Sequence, residues 1–136
     1  MIINFVVMGQ PQGKARPRFA NGRVYTPKAT KDYEEKVKKA YLTAANGYGG
    51  YGFGDKPVIL KITAFLKKAK SNKRICATTK PDLDNIVKAV LDGLNGVAFF
   101  DDKQVIGINA IKLYCCSSEA VPYLEVSITD GTGTGI

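Results

Sequence analysis

The stretch PVILKITAFL, residues 57–66, restricts most what this chain can become. Val58, Leu60, Ile62, Ala64 and Leu66 recur at every second position, against a mixed opposite phase. Side chains alternate across a strand, so this pattern predicts a strand with one buried face and requires a second layer to cover it. Two other segments have helical period. Over about 27–45, Tyr33, Val37, Ala40, Tyr41 and Ala44 share a stripe opposite Lys and Glu, with Thr26-Pro27 as a hydroxyl cap and first-turn proline. From Asp82 to the stop signal Asn95-Gly96, Ile86, Val87, Val90, Leu91 and Leu94 form a second stripe, opposite Asp84, Lys88, Asp92 and Asn95. Residues 2–8, 105–115 and 122–128 read as further strands. The order β-α-β-α-β-β predicts a small α+β two-layer domain: a mixed sheet of about four strands with two main helices on one face. The 136 residues suffice for one domain over 1–129, followed by a tail, 130–136, that has no packing signal and is expected to be disordered.

Composition removes whole function classes. The chain has no histidine, so Ser-His-Asp and Cys-His nucleophiles and imidazole bases are excluded. Its 3 cysteines (Cys76, Cys115, Cys116) form no CxxC, which argues against zinc and fits free thiols in a reducing cytosol. No run approaches the ~18 apolar residues of a membrane span, and MIINFVVMGQ lacks the basic start and cleavage site of a signal peptide. A cytoplasmic protein is expected, with no membrane partner and no organic cofactor. Charge is divided unevenly. Residues 1–80 hold 17 Lys and Arg against 4 Asp and Glu, whereas 81–136 hold 3 against 8. A basic surround with a local acidic cluster suits a site acting on a polyanion, although a basic surface beside an acidic helix has the same signature.

The acidic cluster is KPDLDNIVKAVLDGLNGVAFFDDKQV, residues 80–105. Read singly, its aspartates need no chemistry. Asp82 caps a helix, Asp84 and Lys88 make an i,i+4 surface pair, and FFDDKQV is a turn feeding a strand. Read together, Asp82 and Asp84 point into one pocket at the helix start, and a hairpin-like return brings Asp101 and Asp102 beside them. Converging carboxylates require a cation, and oxygen-only ligands select Mg²⁺, with Mn²⁺ as a possible substitute. Such a site hydrolyses phosphodiesters. Lys88 then serves electrostatically, because a lysine ammonium is a poor general base at neutral pH. The basic stretches GKARPR (Lys14, Arg16, Arg18) and KKAKSNKR (Lys67, Lys68, Lys70, Lys73, Arg74) supply phosphate contacts.

PDLDN, a lysine four residues beyond Asp84, and a DD pair downstream resemble the signature of the RusA-type Holliday junction resolvases, the crossover-junction endodeoxyribonucleases of bacteria and prophages. GQPQGKARPRF is similar to that family's opening, and the likeness runs from Ile2 to about Ile128. The resemblance implies an Mg²⁺-dependent homodimer that nicks two strands of a four-way DNA junction symmetrically, in recombination and repair. It implies Asp82 and Asp84 as metal carboxylates, Lys88 as the catalytic lysine and Asp102, in preference to Asp101, as the third carboxylate. Lys14, Arg16 and Arg18 match the family's basic loop; Lys73 and Arg74 match less specifically. Asp92 is read as structural support. No heptad is visible, so the dimer interface falls on a sheet edge or helix face.

Two alternatives stand beside this reading: a metal nuclease for other branched DNA, and a non-catalytic basic DNA-binding module. A pure binder gains nothing from carboxylates beside bound phosphates. Elsewhere, the Gly/Tyr stretch 46–57 reads as a mobile linker or a base-stacking loop, Cys115-Cys116 as small packing, and Phe99-Phe100 as a core anchor or an aromatic wedge at the junction.

Overall fold

The computed structural model describes residues 1–46 and 52–131. Its elements are β1 (Ile2–Met8), β2 (Arg18–Ala20), β3 (Arg23–Tyr25), α1 (Lys28–Ala44), β4 (Val58–Leu66), α2 (Leu83–Leu94), a 3-10 turn (Asp102–Gln104), β5 (Val105–Tyr114) and β6 (Tyr123–Asp130). The main sheet has the order β1-β6-β4-β5, with β6 antiparallel to both neighbours and β4 parallel to β5. This is the α+β arrangement expected from the sequence: a mixed four-stranded sheet and two helices.

The alternation in β4 is realised directly. Val58, Leu60, Ile62, Ala64 and Leu66 are buried, in one core with Ile3, Phe5 and Val7 of β1, Leu124, Val126 and Ile128 of β6, and the helix stripes. From α1 come Tyr33, Val37 and Tyr41; from α2 come Ile86, Val90 and Leu94. Gly93 lets the helices meet closely, since a β-carbon there would lie 2.8 Å from the Glu34 carbonyl oxygen and 2.9 Å from Val37 Cβ. No helix among the described residues is long and apolar enough to cross a membrane.

Strand direction determines where functional loops collect. Because β1, β4 and β5 run the same way, Met8, Phe65 and Leu113 lie in one row across the sheet, with Tyr123 of β6 between the first two. The segments after β1 and β4 therefore emerge at the same end, and they are the two basic stretches. The β4–α2–β5 connection is a parallel crossover, so α2 starts at that end and finishes at the opposite one.

Several expectations are corrected. Residues 18–25, read as loop, form a separate hairpin, β2–β3, around Asn21-Gly22, where both residues have positive φ (53° and 74°). That is the backbone a two-residue type I′ turn demands, and Asn-Gly is its strongest sequence signal. Pro27, not Thr26, occupies the N-cap of α1, and no side chain caps that helix. The described part of the Gly/Tyr stretch is packed: Phe53 is buried and its N–H donates to Ala98 O. Residues 47–51, which carry the stacking tyrosines Tyr48 and Tyr51, lie outside the described residues. At the C-terminus, Asp130 belongs to β6 and the Gly131 N–H donates to Pro57 O at 2.7 Å, while 132–136 of the expected disordered tail lie outside the described residues.

Candidate active site

The loop between β1 and β2 carries Lys14, Arg16 and the approach to Arg18, and four contacts fix it. Gln10 Oε1 accepts from the Lys67 N–H at 2.8 Å, joining it to the second basic stretch. The Lys14 N–H donates to Asn85 O of α2 at 2.9 Å, and the Ala15 N–H donates to Thr30 Oγ1 of α1 at 3.1 Å. The Lys14 ammonium pairs with Asp92. That hydrogen bond raises the lysine above its ordinary range against the opposing cost of burial. Gly13 permits the close seating: a β-carbon there would stand 2.9 Å from Asn85 Cβ and 3.2 Å from Pro81 Cβ.

The segment leading to α2 is anchored from the sheet. Lys112 Nζ donates to Thr79 O at 2.7 Å and to Pro81 O at 2.9 Å. Thr79 Oγ1 and the Tyr114 hydroxyl lie 3.1 Å apart. Lys112 shares the inward phase of β5 with Ile108, Ala110 and Tyr114. A lysine at an inward phase was the sequence signal for this anchor, and it passed unread. Between the fixed loop and this segment opens a cleft of about 590 Å³, lined by Gln10–Ala15, Lys80, Pro81, Asp82 and Asn85.

Asp82 sits in that cleft as the N-cap of α2, yet its side chain makes no capping hydrogen bond. Asp84 follows in the first turn. The expected Asp84–Lys88 ion pair is not formed; among the described residues the ion pairs are Lys14–Asp92 and Lys56–Asp130. Asp82, Asp84 and Lys88 are all exposed. The capping and pairing roles that would explain these residues without chemistry are therefore unoccupied.

The second acidic pair lies elsewhere. Asp101 and Asp102 precede β5 at the far end of α2, a helix of 12 residues and so about 18 Å long. A parallel crossover imposes this separation, and the hairpin-like return that would bring the pairs together does not occur. Among the described residues no three His, Cys, Asp or Glu side chains are grouped to hold a metal ion. Asp101 is engaged structurally: its carboxylate accepts from the Lys103 N–H at 2.9 Å, and Gln104 Oε1 accepts from its N–H, completing a capping box. The Lys103 bond lowers Asp101 below the carboxylate range. Asp102 is raised, first by partial burial, then by its hydrogen bond with Asp101 and repulsion from Asp101 and Asp92. Asp92 therefore neighbours Asp102, Lys14 and Glu34, and links the far acidic pair to the basic loop.

The remaining predicted residues surround the cleft or lie near it. Arg16 is exposed, and Arg18 sits on β2 opposite Tyr25, with Arg23 opposite Ala20. Every residue of this hairpin is exposed, Phe19 at 73% and Val24 at 70%. Lys73 is exposed, and Arg74 is held locally by Asn72 Oδ1 and Thr78 Oγ1. Phe99 is core and Phe100 is exposed; Cys115 is buried, and all three cysteines are free.

The chain is 31% identical over 140 residues to the uncharacterized protein YqaN of Bacillus subtilis strain 168, an alignment covering 94% of this chain and 96% of that protein. The family model for endodeoxyribonuclease RusA matches residues 8–129, from the end of β1 through nearly all of β6. A match over that span takes in the basic loop, the carboxylate helix and the acidic turn together, and the chain belongs to the RusA endodeoxyribonuclease family.

Proposed function

We propose that this protein is a Mg²⁺-dependent, structure-selective endonuclease that resolves four-way DNA junctions by paired, symmetric nicks as a homodimer. One observation carries the reading: the uncommitted Asp82 carboxylate lines a cleft whose opposite wall is the hydrogen-bonded Gln10–Ala15 segment that leads into the basic loop. An acidic group there repels bound phosphate, so a protein that only bound DNA would lose affinity by having it. Hydrolysis gives it a use.

The donor set suits a hard divalent cation. Mg²⁺ commonly takes one or two carboxylates and completes its shell with water and substrate phosphate oxygens, so Asp82 and Asp84 suffice to hold it without a ready-made cage. A bound divalent cation supplies charge stabilisation at the phosphate and acidifies water. The family resemblance keeps Asp102, in preference to Asp101 of the capping box, as a further carboxylate; standing at the opposite end of α2, it acts apart from the cation that Asp82 and Asp84 would hold.

The chain's own groups do the rest. Lys88, one turn along α2 from Asp84, sets an ammonium on the same exposed face, where it offsets the negative charge that builds on the phosphorus oxygens. Arg16, Arg18, Lys73 and Arg74 hold flanking phosphates. Lys14 contributes chiefly through its pairing with Asp92, which keeps the loop seated.

The test is cleavage of a synthetic four-way junction beside linear duplex of matching sequence, in Mg²⁺ or EDTA, by wild type and Asp84→Asn. Paired Mg²⁺-dependent nicks confined to the junction, lost in Asp84→Asn while binding persists, are expected. Cleavage spread equally over flaps and forks would favour a nuclease for other branched DNA. Tight binding without cleavage in Mg²⁺ or Mn²⁺ would leave a basic binding module.

A further inference from the structure

Between the second basic stretch and α2, the chain is strapped to the outer edge of β5. The Tyr114 N–H donates to Ile75 O at 2.8 Å and the Ala77 N–H donates to Lys112 O at 3.2 Å, pairing Cys76 with Leu113 in antiparallel fashion. Beyond Ala77, side chains of the same strand take over. Lys112 Nζ donates to Thr79 O at 2.7 Å and to Pro81 O at 2.9 Å, and the Tyr114 hydroxyl lies 3.1 Å from Thr79 Oγ1.

The Pro81 bond bears directly on Asp82. Pro81 O belongs to the peptide unit that enters Asp82. The unit that leaves it is held too, because Asp82 O accepts from the Asn85 and Ile86 N–H groups, each at 3.1 Å. Both peptide units of Asp82 are thus tied, one to the sheet and one to the helix, while its carboxylate makes no capping bond. The side chain keeps its own torsions about a fixed backbone. Satisfying two carbonyls does not by itself call for an ammonium. Thr79 and Lys80 are exposed and Pro81 is half-buried, so water can solvate the carbonyls of this segment. A lysine drawn to an inward strand position gives up hydration and rotamer freedom. What it supplies in return is convergence: two carbonyls are directed at one point by a cation tethered to the sheet.

We infer that Lys112 is a positioning residue for the nuclease reaction: through Pro81 O it sets the Asp82 carboxylate where the divalent cation is held. This rests on the role proposed above for Asp82. Lys112 acts through that residue and not on the phosphate. A carboxylate displaced by about 1 Å loses part of its hold on the cation, and misplacements of that size cost up to about a hundredfold in rate.

Three measurements on the full chain test this: Mn²⁺ binding followed by the free-ion EPR signal, junction affinity in EDTA, and single-turnover junction cleavage in Mg²⁺. Lys112→Met should weaken Mn²⁺ binding about tenfold and slow cleavage about thirtyfold, with junction affinity within about twofold of wild type. Lys112→Arg, whose guanidinium has donors for both carbonyls, should recover to within about fivefold of wild type. Tyr114→Phe removes only the hydroxyl at Thr79 and should weaken Mn²⁺ binding about threefold. Coupling identifies the route: in an Asp82→Asn chain, Lys112→Met should weaken Mn²⁺ binding no further. Ile128→Val, a core change on β6, controls for lost stability and should bind Mn²⁺ as wild type does. Wild-type Mn²⁺ binding in Lys112→Met overturns the inference, as does an additive double variant, a loss confined to junction affinity, or an equal loss in Ile128→Val. Should Lys112→Met fail to fold, Tyr114→Phe decides, and wild-type Mn²⁺ binding in it overturns the inference. Absence of junction cleavage by the wild type refutes the nuclease reading and the inference with it, whereas cleavage that the Lys112 variants match refutes the inference alone.

Discussion

Replacing Gly13 by alanine tests the seating of the basic loop without touching an acidic or basic side chain. The added β-carbon would lie 2.9 Å from Asn85 Cβ, 3.2 Å from Pro81 Cβ and 3.6 Å from the Asn85 carbonyl carbon. Ordinary carbon contacts begin near 3.5 Å, so the overlap is about half an ångström. None of the three atoms is the far end of a flexible side chain: Pro81 is held through Lys112 and Asn85 lies in α2. The loop must recede or bear the strain, and overpacking of this kind costs about 1–3 kcal/mol. Receding stretches the Lys14 N–H bond to Asn85 O and the Lys14–Asp92 pair, so relief in one contact is loss in another. The expected result is a Tm lowered by roughly 4–12 °C. The cleft also loses register with the phosphate, and displacements near this size cost up to about a hundredfold in rate. Differential scanning calorimetry and single-turnover junction cleavage read the two effects. Wild-type melting together with wild-type cleavage would refute the claim that the loop is wedged against α2.

Other perturbations separate structural from chemical aspartates. Asp101→Ala removes the cap of the 3-10 turn and should cost about 1 kcal/mol in thermal unfolding, with cleavage largely kept, whereas Asp102→Asn should abolish cleavage with Tm nearly unchanged. The reverse pattern would reassign the further carboxylate. Glu34 is raised by burial, then by repulsion from Asp92, against attraction from Lys14 and Lys31, and its Oε2 is buried without a hydrogen-bond partner. A carboxyl raised in the folded state destabilises it above that raised value and is relieved as pH falls through it. Glu34→Gln should therefore raise Tm at pH 7–8 by the equivalent of up to about 1 kcal/mol, a gain that shrinks toward pH 4.5; melting curves across that range in which the gain grows with acid would contradict the assignment. Gly22→Val strains a position at φ 74° in a hairpin whose residues are all exposed, so Tm should hold while junction affinity in gel-shift titration falls roughly fivefold. An unchanged affinity would remove β2–β3 from the DNA-binding surface.

Where the sequence was legible, the reason is periodicity. β4, α1 and α2 each bury one stripe, and the stripe appears in the order of residues before any contact is known. The hairpin was equally legible through Asn21-Gly22, but its strands have only three residues each and bury nothing, so no periodic signal accompanied the turn. The site divides the same way. Asp82, Asp84 and Lys88 were visible because their spacing is local to one helix. The seating of the loop was not, because it depends on Lys14 meeting Asp92 across 78 positions of sequence, and on Gly13, whose importance is the absence of an atom. The expected meeting of the two acidic pairs failed for a topological reason. Proximity in sequence suggested a return, but the segment between them is the helix of a parallel crossover, which carries the chain away from where it began.

The aspartates of the central segment thus do different things, and their partners sort them. Asp92 neutralises Lys14 and holds the basic loop down; Asp101 caps the turn that starts β5. Both are satisfied by the protein itself. Asp82 and Asp84 are not: the helix start is left without a side-chain cap, and the lysine one turn away is left unpaired. Leaving the cap unmade forgoes about 1 kcal/mol that Asp82 supplies readily at an N-cap. A pair of charged, exposed, uncommitted oxygen donors facing a fixed basic wall is a poor design for stability or for DNA affinity alone. It is what a cation bridging protein and phosphate requires, and Asp82→Asn separates the cases: a structural aspartate would lose Tm and keep its reaction, whereas this one should keep its Tm within about 0.5 kcal/mol and lose Mg²⁺-dependent cleavage.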